Sequence, residues 1–179
     1  MKKFTLILLT LFSSFLLGGC FITNKISELF GEKITETAIE QATDGEADVD
    51  VDYDENGGIT YKSDEGEWSV GSKAEIPNDF PEDMPIIDYN EIVSSSSFQN
   101  EEDNESSFTI VVTSNESFED SKSYYTTRME QNGWNKVSEL DSNGASMLSY
   151  EKGENTSSIW INEDEEGVVS VTITVVVRS

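Results

Sequence analysis

Histidine is absent from the 179 residues, and cysteine occurs once, at position 20. Without imidazole there is no histidine-based acid–base catalysis and no His-ligated zinc. A lone cysteine excludes a disulfide within the chain. Basic residues are also scarce: 11 Lys and Arg stand against 36 Asp and Glu, for a formal charge of −25. No basic patch interrupts that charge, so nucleic acid and anionic headgroups are repelled and no nucleic-acid partner is expected. Phosphate-cradling glycine loops are missing, and Gly57-Gly58 follows acidic residues that would repel phosphate. Serines abound with no histidine to activate one. The one Ser-x-x-Lys, Ser149 to Lys152, stands at the end of a strand pattern without the companion motifs of serine acyl-enzymes. Paired carboxylates suited to glycoside hydrolysis do not stand out, because no acid sits in an apolar setting that would raise its pKa. The sequence therefore points to a non-enzymatic protein with no cofactor.

What is present begins at the N-terminus. Met1-Lys2-Lys3 is a short basic region, Phe4 to Leu17 is apolar, and Gly18-Gly19-Cys20 follows. The apolar run is shorter than the ~20 residues a spanning helix needs and has the layout of an export signal. Leu17-Gly18-Gly19-Cys20 resembles the lipobox of bacterial lipoproteins. That resemblance implies a signal peptide over 1–19 and a diacylglycerol on the Cys20 thiol, with Cys20 as the new N-terminus. The lipid would anchor the chain to a cell membrane on its extracytoplasmic face, since two or more acyl chains suffice for stable attachment.

Residues 20–45 read as a lipidated tether with a helix from Asn24 to Thr43, in which Ile26, Leu29, Phe30, Ile34 and Ile39 approximate one apolar face. Residues 46–75 read as an acidic β-hairpin unit: Val49, Val51 and Tyr53 alternate with aspartates, Asn56-Gly57-Gly58 turns, and Ile59 and Tyr61 resume the alternation. A third strand is expected through Trp68, Val70 and Gly71. Asp52, Asp54 and Asn56 with Gly57 match the opening of an EF-hand calcium loop. Ser63 stands where the closing bidentate Glu belongs, and a strand pattern precedes the loop. The alternatives are weak Ca²⁺ or small-ligand binding by these carboxylates and a solvated acidic strand face.

All three prolines fall between Ile76 and Ile86, which makes that stretch an extended strap, pinned to a core by Ile76, Phe80, Met84 and Ile86. It leads into an α+β domain spanning 76–179, with the expected order β-β-α-β-β-β-β: an antiparallel meandering sheet with one packed helix. Ser117 and Asp120 predict the helix start, Phe118, Tyr125 and Met129 its apolar face, and Gly133 its end. Ser121-Lys122-Ser123 falls on the part of the helix patterned for solvent. The last strand, the run from Val168 to Val177, is the most apolar and belongs where it is covered.

The helix stretch Tyr124-Tyr125 through Met129 to Gly133-Trp134, preceded by the proline segment, is similar to a loose family of bacterial surface lipoproteins sharing a lipobox, a short helix and an Asp/Val hairpin. The resemblance implies location and fold; it carries no activity and no catalytic residues. The remaining function classes are a module binding an envelope protein or a polymer, and an ion-binding lipoprotein. For the first, Ile159-Trp160-Ile161 is informative: alternation puts either Trp160 or its two neighbours on the outer face. An exposed Trp160 would be a binding anchor, whereas packing into the core is the commoner fate of such a residue.

Overall fold

In the computed structural model, which describes residues 50–53, 58–100 and 103–178, alternating segments pair into one antiparallel sheet packed against one helix. The strands are β1 (Asp50–Tyr53), β2 (Ile59–Ser63), β3 (Gly66–Val70), β4 (Tyr89–Asn100), β5 (Glu105–Ser114), β6 (Asn135–Ser142), β7 (Ala145–Lys152), β8 (Asn155–Glu163) and β9 (Val169–Arg178). The helix α1 (Phe118–Gln131) falls between β5 and β6. The signal segment, Cys20 and the helix expected over 24–43 lie outside the described residues. No helix among the described residues is long and apolar enough to cross a membrane.

Two expectations change. Residues 46–75 and 76–179 do not separate: β3 pairs with β4 from Gly66↔Phe98 to Val70↔Ser94, and residues 46–179 form one compact unit. A simple meander is also wrong, because the spatial order is β1-β2-β3-β4-β5-β9-β8-β7-β6. After α1 the chain enters at the far edge and returns strand by strand, so β9 inserts beside β5. The reason is burial. β9 offers Val169, Val171, Ile173 and Val175 to the core, all buried, and an interior position pairs both of its edges.

Register lines up the core face. Ile110, Ile173, Ile159 and Leu148 stand opposite one another on four adjacent strands, each fully buried. Burial of each such side chain contributes about 1.5–3 kcal/mol. The helix covers the β6–β8 half of this face with Tyr125 and Met129. Its start is capped by Ser117, whose Oγ accepts the Asp120 amide at 3.2 Å. Glu119 and Asp120 in the first turn and Arg128 in the last suit the helix dipole. It ends at Gly133 (φ 83°), which lets the Trp134 amide donate to the Met129 carbonyl at 2.9 Å and turns the indole into the core.

The proline segment is the strap the sequence predicts, pinned by the expected Phe80, Met84 and Ile86, with Ile87 in place of Ile76. Met84 and Ile87 are buried and Phe80 and Ile86 pack beside them, while Ile76 stays exposed. Phe80 meets Phe108 edge to face at 5.9 Å. The Ile87 amide donates to the Tyr125 hydroxyl oxygen at 3.3 Å, and the Tyr124 hydroxyl donates to the Ile86 carbonyl at 2.8 Å. Lys152 closes the assembly by donating to Asp83 at 2.6 Å and to the Asn132 carbonyl at 2.8 Å. Ser121-Lys122-Ser123 is not a solvent-only stretch. Ser121 is fully buried against Ser114, and Lys122 reaches Glu139 and Asp141 on β6.

Candidate binding surface

With helix and strap on one side, the other face of the sheet carries no covering element among the described residues. Antiparallel register sorts its side chains into rows that cross the strands. One row runs Ser96, Thr109, Thr174, Ser158, Ser149, Ser138 across β4, β5, β9, β8, β7 and β6. Its residues follow one another at the strand spacing of about 4.8 Å, and the Thr109 and Thr174 Oγ1 atoms hydrogen-bond to each other at 3.3 Å. Tyr61 and Trp68 extend it onto β2 and β3. The neighbouring row runs Ser94, Val111, Thr172, Trp160, Met147, Leu140 on the same strands, with Ile59 and Val70 extending it.

Trp160 is therefore on the open face, half exposed at 50%, while Ile159 and Ile161 are fully buried. This settles the alternation at Ile159-Trp160-Ile161 against the commoner outcome. The physical cause is register: Ile159 stands opposite Ile173 and Leu148 beneath the helix, which forces Trp160 outward beside Thr172 and Met147. Leu140, on the edge strand and in the same row, is 62% exposed.

Across the sixteen positions of the two rows, from β2 to β6, there is no Asp, Glu, Lys or Arg. Charged residues make up 26% of the chain, so about four would be expected there. Charge returns only at the margins, at Glu91, at Glu151 and in the Arg178–Glu105 ion pair of 2.9 Å. The charges of the first hairpin project to the other face, where Lys62 pairs with Glu67 at 3.2 Å and Lys73 pairs with Asp52.

The helix side has its own electrostatic knot. Lys122 Nζ lies 2.6 Å from Asp141 and 2.7 Å from Glu139, and Lys136 reaches Glu139 at 2.7 Å. The hydrogen bonds to Asp141 and Glu139 push the Lys122 pKa up, and those from Lys122 hold both carboxyls below their ordinary range. This cluster fastens α1 to β6 and leaves no group free for chemistry. Of the calcium-type residues, Asp52 is an exposed strand residue engaged by Lys73, and Asp54 and Asn56 lie outside the described residues. Among the described residues no three acidic or cysteine side chains converge so as to hold a metal ion.

Two surface depressions among the described residues are open to solvent. One lies along α1 beside Tyr124, Arg128 and Asp88, and the other beneath the strap beside Trp134, Phe108 and Asp83. The helix–sheet interior is filled by side chains such as Tyr125, Met129 and Ile173. Residues 92–174 match a family model described as START domain-like. The match runs from β4 to β9 and takes in the helix, the part of the chain whose core face is best filled. No curated protein and no solved structure matches the chain.

Sequence reasoning singled out Trp160 but not the surface around it. The Ser and Thr positions alternate visibly along β9, at Ser170, Thr172 and Thr174. Their alignment into rows depends on a strand order that local patterns do not contain.

Proposed function

We propose that this protein is a lipid-anchored, extracytoplasmic binding module that works without catalysis, its lipid on Cys20 and its recognition surface on the open face of the sheet. The carrying observation is the half-exposed Trp160, set among Thr172, Met147 and Leu140 on a face without charge. Aromatic side chains that present a large rigid area at low entropic cost are the usual anchors of binding surfaces. Larger exposed apolar patches on a soluble domain mark interaction sites. The START domain-like match over residues 92–174 supports a binding role. The lipobox resemblance of Leu17 to Cys20 supports tethering beside the partner, which raises its effective concentration.

The test uses the full-length chain in cells, with a photo-reactive benzophenone residue placed at Met147 or, as a control, at Glu130 on the exposed side of α1. The Met147 probe is expected to yield a discrete adduct of higher mass that the Glu130 probe does not. Cys20→Ser is expected to abolish both the adduct and membrane attachment. Equal labelling from the two positions would overturn the surface assignment. Retention of the Cys20→Ser chain on the membrane would overturn the anchor.

A further inference from the structure

Resting on that reading, we infer that the partner of the open face is an uncharged polysaccharide, lying across the strands along the hydroxyl row with one ring stacked on Trp160. Charge is the first argument. The chain carries −25, yet none of the sixteen positions in the two rows is Asp, Glu, Lys or Arg. A basic protein partner would be met by carboxylates at the centre of this face, and the two central rows hold none; they stand only at its margins. An anionic polymer would be repelled by the molecule as a whole. A second copy would bring −25 against −25, with no opposite charge on the face to offset it. A neutral polymer is the partner for which missing charge is an advantage, because no ion must be desolvated when it docks.

Chemistry is the second argument. Thr109, Thr174, Ser158 and Ser149 present hydroxyls on four adjacent strands, and the buried Ser96 continues the row on β4. Each hydroxyl both donates and accepts, which matches the dual character of sugar hydroxyls. The strand spacing of about 4.8 Å is close to the advance of one ring along an extended pyranose chain. In the next row Trp160 offers an indole face to the C–H side of a ring, with Met147 and Thr172 on either side. Eight strands give a track roughly 34 Å long, enough for several rings. Affinity is expected to be modest per ring, since each hydrogen bond replaces one to water.

The experiment measures depletion of the full-length, detergent-solubilised chain by insoluble cellulose, chitin and β-1,3-glucan, with polygalacturonate as the anionic comparison. Trp160→Ala and Ser158→Asp are compared with wild type after circular dichroism has shown them folded. Wild type is expected to bind at least one neutral polymer and not the anionic one. Trp160→Ala should weaken binding about tenfold, Ser158→Asp should weaken it comparably, and Trp160→Tyr should restore most of it. Binding to none of the three neutral polymers overturns the inference. So does binding that neither variant changes, or a monomer–dimer equilibrium in light scattering that Trp160→Ala abolishes. A protein adduct from the Met147 probe, without polysaccharide binding, would remove the glycan while leaving the binding face intact.

Discussion

Two buried tyrosines show how much a hydroxyl's surroundings matter. Tyr125 and Tyr150 both fill the core, and burial pushes the pKa of each up. Tyr125 accepts the Ile87 amide and so binds the strap to the helix. The Tyr150 hydroxyl is buried with no partner in hydrogen-bonding geometry, although Thr126 lies near enough to offset part of the burial effect on its pKa. Tyr125→Phe is therefore expected to destabilise by about 1 kcal/mol, since it strands a buried amide. Tyr150→Phe removes an unsatisfied group of the same shape and is expected to be neutral or stabilising. Urea unfolding midpoints decide both. A large loss in Tyr150→Phe would mean that Thr126 does bond the hydroxyl. Trp134 is the parallel case, its indole N–H buried and without a partner.

At the scale of elements, α1 is joined to the edge strand β6 by the Lys122 cluster. β6 needs that help, because every residue from Asn135 to Ser142 is exposed and its alternation is broken by a bulge between Lys136 and Ser138. The bulge and the flanking charges also blunt an edge that would otherwise template aggregation. The carboxyl pKa values of Glu139 and Asp141 are held down in the folded state, so their contribution is present above the ordinary carboxylate range and lost as pH falls through it. The Lys122 pKa is raised, so its contribution is present below the ordinary lysine value and lost as pH rises past it. The stability gap between wild type and Lys122→Met should thus be widest between about pH 5 and about pH 10 and close towards both extremes. Denaturation midpoints across that range provide the check, and a gap independent of pH would refute the ion-pair account.

For the whole molecule, −25 on one chain means that folding gathers like charges together. Raising NaCl from about 0.05 M to about 0.5 M screens that repulsion and should raise the thermal midpoint. A falling midpoint would show that the surface pairs, such as Lys62–Glu67 and Arg178–Glu105, outweigh the net repulsion. The same charge distribution makes the open face distinctive. Acids crowd the turns and the margins, and the centre of the sheet face holds hydroxyls, valines and Trp160.

Local chemistry determined a good deal of this by itself. Ser117 with Asp120, Gly133 and the spacing of Tyr125 and Met129 mark out the helix, because capping and periodicity act within a few residues. Strand patterns likewise mark Ser107 to Thr113 and Val168 to Val177, close to the observed β5 and β9. Absent histidine and the excess of acid bound the chemistry without any fold. Only the tertiary structure decided that β9 lies between β5 and β8, that the first hairpin continues the main sheet, and that Trp160 faces outward. Those outcomes depend on which strands bury each other's faces, an energy summed over residues as far apart as Thr109 and Thr174, and no local window contains it. The uncharged face exists at that level alone: it is written one or two residues at a time on eight strands, and register assembles it.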